Sequence, residues 1–472
     1  GGRYDCRSQP IQEAVRAGVS KSAGIPPENM MISATHTHSG GALHGALGTK
    51  TDADYAVFIP GKLIECIEKA AANLQPAKIG WGGEDHPEGT FCRVFIRRPD
   101  CIGADPLGRR NVRAMMSHGT SGDQQWQDYA NPAKPTSRIQ YATGVAEAAL
   151  RAYERIEFHT SAPLAVAQRE IPVKLQQPDQ EAQAWADKIY AELAGRDPQT
   201  RPEVYAREIV QLRDMAQVKA KLQVIRIGEL GIAAMPPEVY AITGLKLKLQ
   251  CPLADMFTIE LANGRVGYIP PPELRPLGGY NTWPARHTVT QDDIETIMAE
   301  SLLQMFEEVT GRPRRKIVLS QGPLAQKVLQ RKPVAYWRLG EIEGTQAFDS
   351  SGNDNHGAYE TGYAFYLDGP DRDDLRAAGE KPRAVQFAGG CMKARFDPGA
   401  DYAVELFFWN GLPNDNRAVY LNEAAEPIIA GKAAVTRPAG CHDIFVGDRC
   451  DRFASFEGRM AEVAVFRGCF DS

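Results

Sequence analysis

The hydrophobic pattern of this chain changes near residue 315, and this change limits the folds that the chain can adopt. Before that point, segments with the helical spacing of apolar residues alternate with strand-like runs. Beyond Val334, short strand-like segments such as "VAYWRLGE" and "MAEVAVFRG" follow one another, separated by turn residues. We therefore predict an α/β (mixed α+β) domain followed by an all-β sandwich. The predicted boundaries are 1–315 for the first domain, 316–331 for a linker and 332–472 for the sandwich.

Composition and charge narrow the classes of function. The chain has 472 residues, which is long enough for two or more domains, and its formal net charge is -5. No basic run with interleaved aromatic residues occurs, so we expect no nucleic-acid partner. No run approaches the roughly 18 apolar residues of a membrane helix, so we expect no transmembrane segment. The amino terminus has no signal-peptide pattern, although a processed secreted chain would look the same.

Several segments of the first domain have a readable secondary structure. Helical spacing of apolar residues predicts helices near Ile11–Val19, Tyr55–Asn73, Ile139–Ile156, Gln180–Ala194 and Asp292–Val309. The segment "KLQVIRIGELGIAAM" predicts two strands joined by a tight turn at Gly228 to Leu230. The segment "MFTIELANGRVGYIP" predicts a second pair, with Asn263-Gly264 as a type I′ turn.

Two histidines follow a short apolar run in "NMMISATHTHSGG". Side chains alternate between the faces of a strand, so a buried strand here would direct His36 and His38 to the same side. The strand would end at a loop of small residues, and ligands of α/β proteins collect at such strand ends. Because neutral imidazole is a common zinc ligand, a metal site is the leading interpretation. A solvated or hydrogen-bonded, non-functional role for the two histidines is the alternative.

Three further places could complete a metal site. Glu238 follows Pro236-Pro237 and precedes a helix-like segment, where a carboxylate is also favoured by the helix amino terminus. Tyr268 follows the predicted turn, where it could equally be an aromatic strand residue. The segment "MMSHGTSGDQQWQDY", which includes His118 and Asp123, is rich in glycine and polar side chains. Loops of that composition often carry function.

Four ordered blocks resemble the neutral, non-lysosomal ceramidase family: "NMMISATHTHSGG", "TSGD", "MPPEVYAITGLKLK" and "ANGRVGYIPPPE". Proteins of that family are zinc-dependent amidases that cleave the N-acyl bond of ceramide. The resemblance implies that His36, Glu238 and Tyr268 bind Zn²⁺. It further implies that His38 hydrogen-bonds the substrate or the developing oxyanion. One departure is Pro237, where the family usually has glycine.

Two other departures concern the catalytic group. No separate segment carries the family's second zinc histidine; His118 either substitutes for it or lines the cleft, and we favour the cleft. Aligning the Gly-Asp pair that ends at Asp123 places Gln125 at the position of the catalytic serine. A zinc-activated water is then the expected attacking group, with Ser121 as the weaker candidate. The predicted catalytic residues are His38, His118 and Asp123.

The carboxyl-terminal segments "VAYWRLGE", "FDSSGNDNHGAY", "AVQFAGG" and "FEGRMAEVAVF" resemble the laminin-G-like, concanavalin-A-type jelly roll. That resemblance implies binding of a glycan or a cell-surface protein, with Ca²⁺ as a possible cofactor. For "DSSGNDNHG", Asp349–Gly357, a turn held by local hydrogen bonds is favoured over a calcium or sugar site.

The leading hypothesis is a zinc-dependent hydrolase of an N-acylated lipid or small molecule, secreted, periplasmic or on the cell surface. The alternative is a catalytically silent surface binding or assembly protein. It would keep the ceramidase fold and bind glycan or protein through the sandwich.

Overall fold

The computed structural model describes residues 8–36, 40–45, 47–86, 89, 91–92, 103–104, 110–111, 120–125, 136–213, 215, 217–286, 288, 290–319, 322–370, 382–410, 442–448 and 455–468. The chain divides into two compact units, Gly1–Ile317 and Val318–Ser472. The first unit mixes helices and sheets, and the second is rich in β-strands, as the sequence pattern predicts. None of the described helices is long and apolar enough to cross a lipid bilayer.

The helices described in the first unit are α1 (Ser8–Ala23), α2 (Ala53–Ala72), α3 (Arg138–Glu154), α4 (Gln180–Glu192), α5 (Arg201–Leu212), α6 (Ala241–Gln250) and α7 (Ile294–Thr310). The five helices predicted from apolar spacing are confirmed as α1 to α4 and α7. Local caps explain where several begin. In α3 the Ser137 hydroxyl accepts from Gln140 N, and the Gln140 side chain accepts from Ser137 N, a capping box that satisfies two otherwise free backbone donors.

Short strands in the first unit are β1 (Phe91–Cys92), β2 (Gly103–Ala104), β3 (Arg110–Asn111), β4 (Gln124–Gln125), β8 (Glu238–Val239) and β10 (Tyr268–Ile269). Its largest described sheet contains β5 (Leu164–Lys174), β6 (Gln217–Ile227), β7 (Leu230–Ala234) and β9 (Asp255–Ile259), in that order. Strands β6 and β7 form the predicted hairpin, with Ile227 opposite Leu230. Helix α7 contributes Leu302 and Phe306 to one core with Leu222 and Val224 of β6.

The hairpin predicted at Asn263-Gly264 is wrong. Strand β9 pairs in parallel with β7, whereas β10 pairs in parallel with β8, so the two segments belong to different sheets. The side chain of Asn263 is buried, and its Oδ1 accepts hydrogen bonds from Arg16 Nη2 at 2.5 Å and Ile32 N at 3.3 Å. These long-range bonds replace the exposed turn that an Asn-Gly pair usually forms.

The buried strand predicted to end at His36 and His38 is also wrong. Ser33 forms an isolated bridge with Ala262, and residues 33–35 are exposed. His36 has a φ of 55°, in the left-handed region, which interrupts the alternation of side chains that an extended strand requires. His38 lies outside the described residues.

The second unit begins with helix α8 (Pro323–Gln330), which lies inside the segment predicted as a linker. One of its antiparallel sheets contains β11 (Ala335–Trp337), β14 (Tyr363–Asp368), β15 (Arg383–Ala388), β17 (Tyr402–Asn410) and β19 (Glu457–Arg467). The other contains β12 (Gln346–Ala347), β13 (Gly357–Glu360), β16 (Cys391–Arg395) and β18 (Asp443–Val446). Aromatic rings from both sheets meet, for example Tyr359 and Phe365 at 5.1 Å. The jelly-roll topology stays a prediction.

Candidate functional site

His36, Glu238 and Tyr268 lie together in the first unit. The parallel pairing of β8 with β10 places Glu238 directly opposite Tyr268. His36 Nε2 lies 3.1 Å from Glu238 Oε2. The hydroxyl of Tyr268 acts on the same carboxyl group and helps to lower its pKa. The three residues proposed as metal ligands from remote parts of the sequence therefore converge on one carboxylate.

A single segment of backbone, residues 259–267, positions all three side chains. On one side, Ile259 O accepts from Met235 N at 2.9 Å, and Gly267 O accepts from Glu238 N at 2.9 Å. On the other side, Leu261 O accepts from Ala34 N at 3.1 Å. The segment thus joins the chain before His36 to the chain around Glu238, and it continues directly into Tyr268.

The carboxylate of Glu238 is ionised in a nearly dry environment. Its residue is 2% exposed, and burial alone would raise the pKa of the carboxyl group. Hydrogen bonds from His36 and Tyr268, with the positive charge of Arg265, outweigh burial and hold the pKa below its ordinary value. A negative charge is therefore available at this position near neutral pH.

The donor set is one imidazole nitrogen, one carboxylate and one phenol oxygen. Imidazole and carboxylate are ordinary zinc ligands, so these residues fit a zinc ion that takes nitrogen and oxygen donors. Across the described part of the chain, no three His, Cys, Asp or Glu side chains lie close enough together to hold a metal. A metal at this site would therefore use the phenol of Tyr268 or a ligand from outside the described residues.

A row of aromatic rings packs behind Tyr268. Its ring centroid lies 5.5 Å from that of Tyr280, which in turn lies 5.6 Å from that of Trp283. Trp283 also contacts Tyr205 of α5 edge-on at 5.4 Å. Because Tyr268 is only 4% exposed, this packing restricts the phenol to one direction.

The segment around Gly122 lies directly against the strand that carries Glu238. Gly122 N donates to Val239 O at 2.7 Å, and a Cβ on Gly122 would lie 2.6 Å from Glu238 O. Asp123 Oδ1 accepts from Ala241 N at 2.7 Å, at the beginning of α6. The carboxylate of Asp123 therefore satisfies a helix amino terminus close to Glu238, and its predicted catalytic role stays a prediction.

Ser121 and Glu260 form a buried pair that the sequence analysis did not single out as a pair. Ser121 Oγ donates to Glu260 Oε1, and Ser121 N donates to Oε2 at 3.1 Å. Burial raises the pKa of Glu260 to about 8, with the charge of Glu238 adding to the effect and the bonds from Ser121 opposing it. The sequence signal that could have identified Glu260 is its position directly after the apolar strand segment "MFTI".

His44 and Arg265 form a second polar contact that the sequence analysis missed. Arg265 Nη1 lies in hydrogen-bond contact with His44 Nε2. Arg286 and Glu208 lie nearby, joined by two hydrogen bonds of 2.8 Å. The signal for this contact was weak, because nothing in the spacing of residues 44 and 265 connects them.

Other predicted residues are only partly placed. His38 and His118 lie outside the described residues, so their predicted catalytic roles stay predictions. Gln125 is the last residue of β4 and pairs with Phe91 of β1.

In the second unit, the carboxylate of Asp349 accepts four hydrogen bonds, from Tyr336 N, Ser351 N, Ser351 Oγ and Asn355 N, at 2.8 to 2.9 Å. All four donors belong to the unit itself. These bonds support the turn interpretation of this segment, and calcium binding in the unit stays a prediction.

Comparison with known proteins gives limited similarity. No protein-family model and no curated protein matches the chain. Among solved structures, "Ceramidase complexed with C2" is similar with a TM-score of 0.43 and 12% identity, over 82% of this chain and 86% of that chain. The structure of neutral ceramidase from Pseudomonas aeruginosa is similar with a TM-score of 0.42 and 14% identity, over the same shares, 82% and 86%.

Proposed function

We propose that the first unit is a zinc-dependent hydrolase of an N-acyl amide bond, in a ceramide-like lipid or another N-acylated molecule. The observation that carries this proposal is the convergence of His36 and Tyr268 on the buried carboxylate of Glu238. The resemblance of four ordered sequence blocks to ceramidases supports the choice of an amide bond.

His36, Glu238 and Tyr268 would hold the zinc ion. When bound, zinc supplies Lewis-acid chemistry: it polarises a carbonyl oxygen and makes water more acidic. An amide is resistant to hydrolysis because its ground state is stabilised by resonance, so charge stabilisation at its oxygen in the transition state is the chemistry needed.

The residues of the chain prepare this site in separate ways. Glu238 keeps its negative charge because His36, Tyr268 and Arg265 stabilise it against burial. The hydrogen bond from Ala241 N to Asp123 fixes the start of α6, two residues after β8 ends. The phenol of Tyr268 is held by the ring of Tyr280. Each restraint reduces the reorganisation that metal binding would otherwise require.

The direct test is the zinc content of purified protein after incubation with zinc and removal of excess metal. Wild type is expected to hold about one zinc per chain, and His36→Ala to hold little, because a structural or catalytic site rarely keeps zinc after losing a ligand. His159→Ala is the matched control, since His159 is exposed and stacks on Trp81. Equal zinc in wild type and His36→Ala would contradict the proposal.

A catalytically silent binding protein is the second candidate. It is favoured by Gln125, which stands where the resemblance places a catalytic serine and cannot serve as that nucleophile. Incubation of zinc-loaded protein with N-acylated sphingoid lipids and with N-acetylated glycans separates the two. Release of fatty acid or acetate supports the hydrolase, whereas release of neither at full zinc occupancy supports the silent protein. In both cases we propose a secreted, periplasmic or cell-surface location, with the second unit binding a glycan or a protein.

A further inference from the structure

The contact between His44 and Arg265 sets the position of the proton on the imidazole. A guanidinium group has only hydrogen-bond donors, so His44 Nε2 must accept from Arg265 Nη1. In a neutral imidazole the proton then lies on Nδ1. Arg265 therefore fixes one tautomer of His44, with Nδ1 as a donor.

His44 is neutral near pH 7. Burial lowers the pKa of its imidazole to about 4, and the positive charges of Arg265 and Arg286 act in the same direction. Its Nδ1 atom is buried and has no hydrogen-bond partner in the described part of the chain. A buried N–H donor without an acceptor is costly, so it marks a place where an oxygen acceptor would bind favourably.

The two arginines at this contact differ in whether a carboxylate balances their positive charge. Arg286 is neutralised by the fully buried carboxylate of Glu208, through Nε and Nη2. The described hydrogen-bond partner of Arg265 is instead the uncharged imidazole of His44. Among the described residues, no carboxylate forms a hydrogen bond or an ion pair with the half-buried Arg265.

The contact lies beside the candidate metal site. Arg265 precedes Tyr268 by three residues in the segment that positions His36 and Glu238. Gly267, two residues after Arg265, accepts a hydrogen bond from Glu238 N at 2.9 Å. A molecule bound at the metal site would therefore lie close to the segment that carries Arg265.

We propose that His44 and Arg265 form a subsite for a carboxylate on the substrate, so that the preferred substrates are N-acyl amides whose amine part carries an acid. This inference rests on the function proposed above for the substrate class, and it adds the charge of the substrate. A carboxylate would supply the acceptor that His44 Nδ1 lacks, and the positive charge of Arg265 on the other ring nitrogen would attract its negative charge across the imidazole. A single arginine matches one negative charge better than the double charge of a phosphate monoester.

The test uses two ligands that share an acyl chain and an amide: N-octanoylglycine, which carries a carboxylate, and N-octanoylethanolamine, which carries a hydroxyl group. Binding is titrated calorimetrically with a chelator present, so that neither ligand is consumed, and hydrolysis is measured separately with zinc. Wild type is expected to bind the carboxylate ligand about 10-fold to 100-fold more tightly, the range typical of a hydrogen bond to a charged group.

Arg265→Gln is expected to reduce that preference to less than about 3-fold by weakening the binding of N-octanoylglycine. Arg265→Lys keeps the charge and is expected to keep part of the preference, which preserves the test if the glutamine variant fails to fold. Arg169→Gln removes the same charge from the distant strand β5, where Arg169 pairs with Glu308, and is expected to keep the full preference. His44→Phe keeps the ring but removes the donor, and is expected to weaken binding of N-octanoylglycine alone.

Equal binding of the two ligands by wild type would overturn the inference, and so would an unchanged preference in Arg265→Gln. If the carboxylate preference depends on Arg265 but zinc-loaded protein cleaves neither ligand, the inference about the subsite stands and the hydrolase proposal fails. If both ligands are cleaved equally well and Arg265→Gln changes nothing, the hydrolase stands and the subsite fails.

Discussion

Each unit of the chain buries a carboxylate, and the groups around it differ. In the second unit, Glu462 is 5% exposed and accepts hydrogen bonds from the phenol of Tyr336 and from Arg338 Nη2, the latter at 2.6 Å. In the first unit, Glu238 is 2% exposed and its hydrogen-bonding partners are an imidazole and a phenol. Both carboxylates have a phenol partner, so the difference lies in the third group: a guanidinium group cancels a buried charge, whereas an imidazole is itself a metal ligand. The identity of the partner therefore separates a structural carboxylate from a candidate functional one.

The comparison predicts opposite consequences for the same chemical change. Replacing Glu462 leaves a buried guanidinium without its counter-ion, which costs free energy of folding. Replacing Glu238 leaves an imidazole and a phenol, instead of a buried guanidinium, without the carboxylate, and it removes a metal donor. Stability is expected to depend on the first carboxylate, and zinc binding on the second.

The largest expected effect on stability is that of Glu462→Gln. Because it leaves the buried Arg338 uncompensated, the free energy of unfolding of the second unit should fall by about 3–5 kcal/mol. Denaturant unfolding followed by circular dichroism measures the change. Glu405→Gln, which breaks the exposed pair with Arg331, should change the same quantity by less than about 1 kcal/mol. If Glu462→Gln lowered the free energy of unfolding by no more than Glu405→Gln does, the structural role assigned to Glu462 would be contradicted.

Glu238→Gln should lower zinc affinity by at least about 100-fold, because loss of a direct ligand costs no less than loss of a residue that only orients one. Its free energy of unfolding without metal should fall, because the charge that the folded state favours is lost, but by less than in Glu462→Gln, because the imidazole and the phenol can still hydrogen-bond to the amide. Competition with a fluorescent zinc chelator measures the affinity. Glu229→Gln, an exposed carboxylate paired with Arg312, serves as the control. If Glu238→Gln bound zinc as tightly as wild type, the metal-binding role proposed for Glu238 would be contradicted.

The pKa of Glu260 extends the comparison of buried carboxylates to the pH dependence of the unfolding free energy. Its folded-state pKa is raised to about 8 from an ordinary value of 4.5, so between these values the folded state binds a proton that the unfolded state does not. The stability contributed by this group is fully present below pH 4.5 and is lost as pH rises through about 8. Glu260→Gln should therefore flatten the decline of unfolding free energy over this window. Unfolding of metal-free protein at a series of pH values tests it, and an unchanged slope would contradict the raised pKa.

The smallest expected effect is that of Asp123→Ala. Loss of the acceptor at the beginning of α6 should lower the free energy of unfolding by about 1 kcal/mol, whereas Asp123→Asn keeps an acceptor and should cost less. Hydrolysis rates of both variants test the catalytic role predicted for Asp123. A loss of rate of about 100-fold or more in Asp123→Asn with stability retained would show that the charge of Asp123 takes part in the reaction.

Local sequence determined the elements whose pattern is local. The helical spacing of apolar residues in "IETIMAESLLQMFEEV" predicts α7, and the Gly228 turn predicts the β6–β7 hairpin, because side-chain periodicity and turn geometry depend on neighbouring residues. The change of pattern near residue 315 also predicts the two fold classes, a mixed unit and a β-rich unit. His36, Glu238 and Tyr268 could be selected in advance because motifs marked them.

Tertiary structure alone decided how those motifs are joined. Asn263 has the sequence of a turn, but bonds from Arg16 and Ile32, more than 200 residues away, bury its side chain. Strand β10 pairs with β8 instead of β9, and this pairing places Tyr268 beside Glu238. The contact of His44 with Arg265 arises in the same way. Hydrogen bonds between distant residues leave no periodic trace in the sequence, since nothing about either partner alone specifies the other.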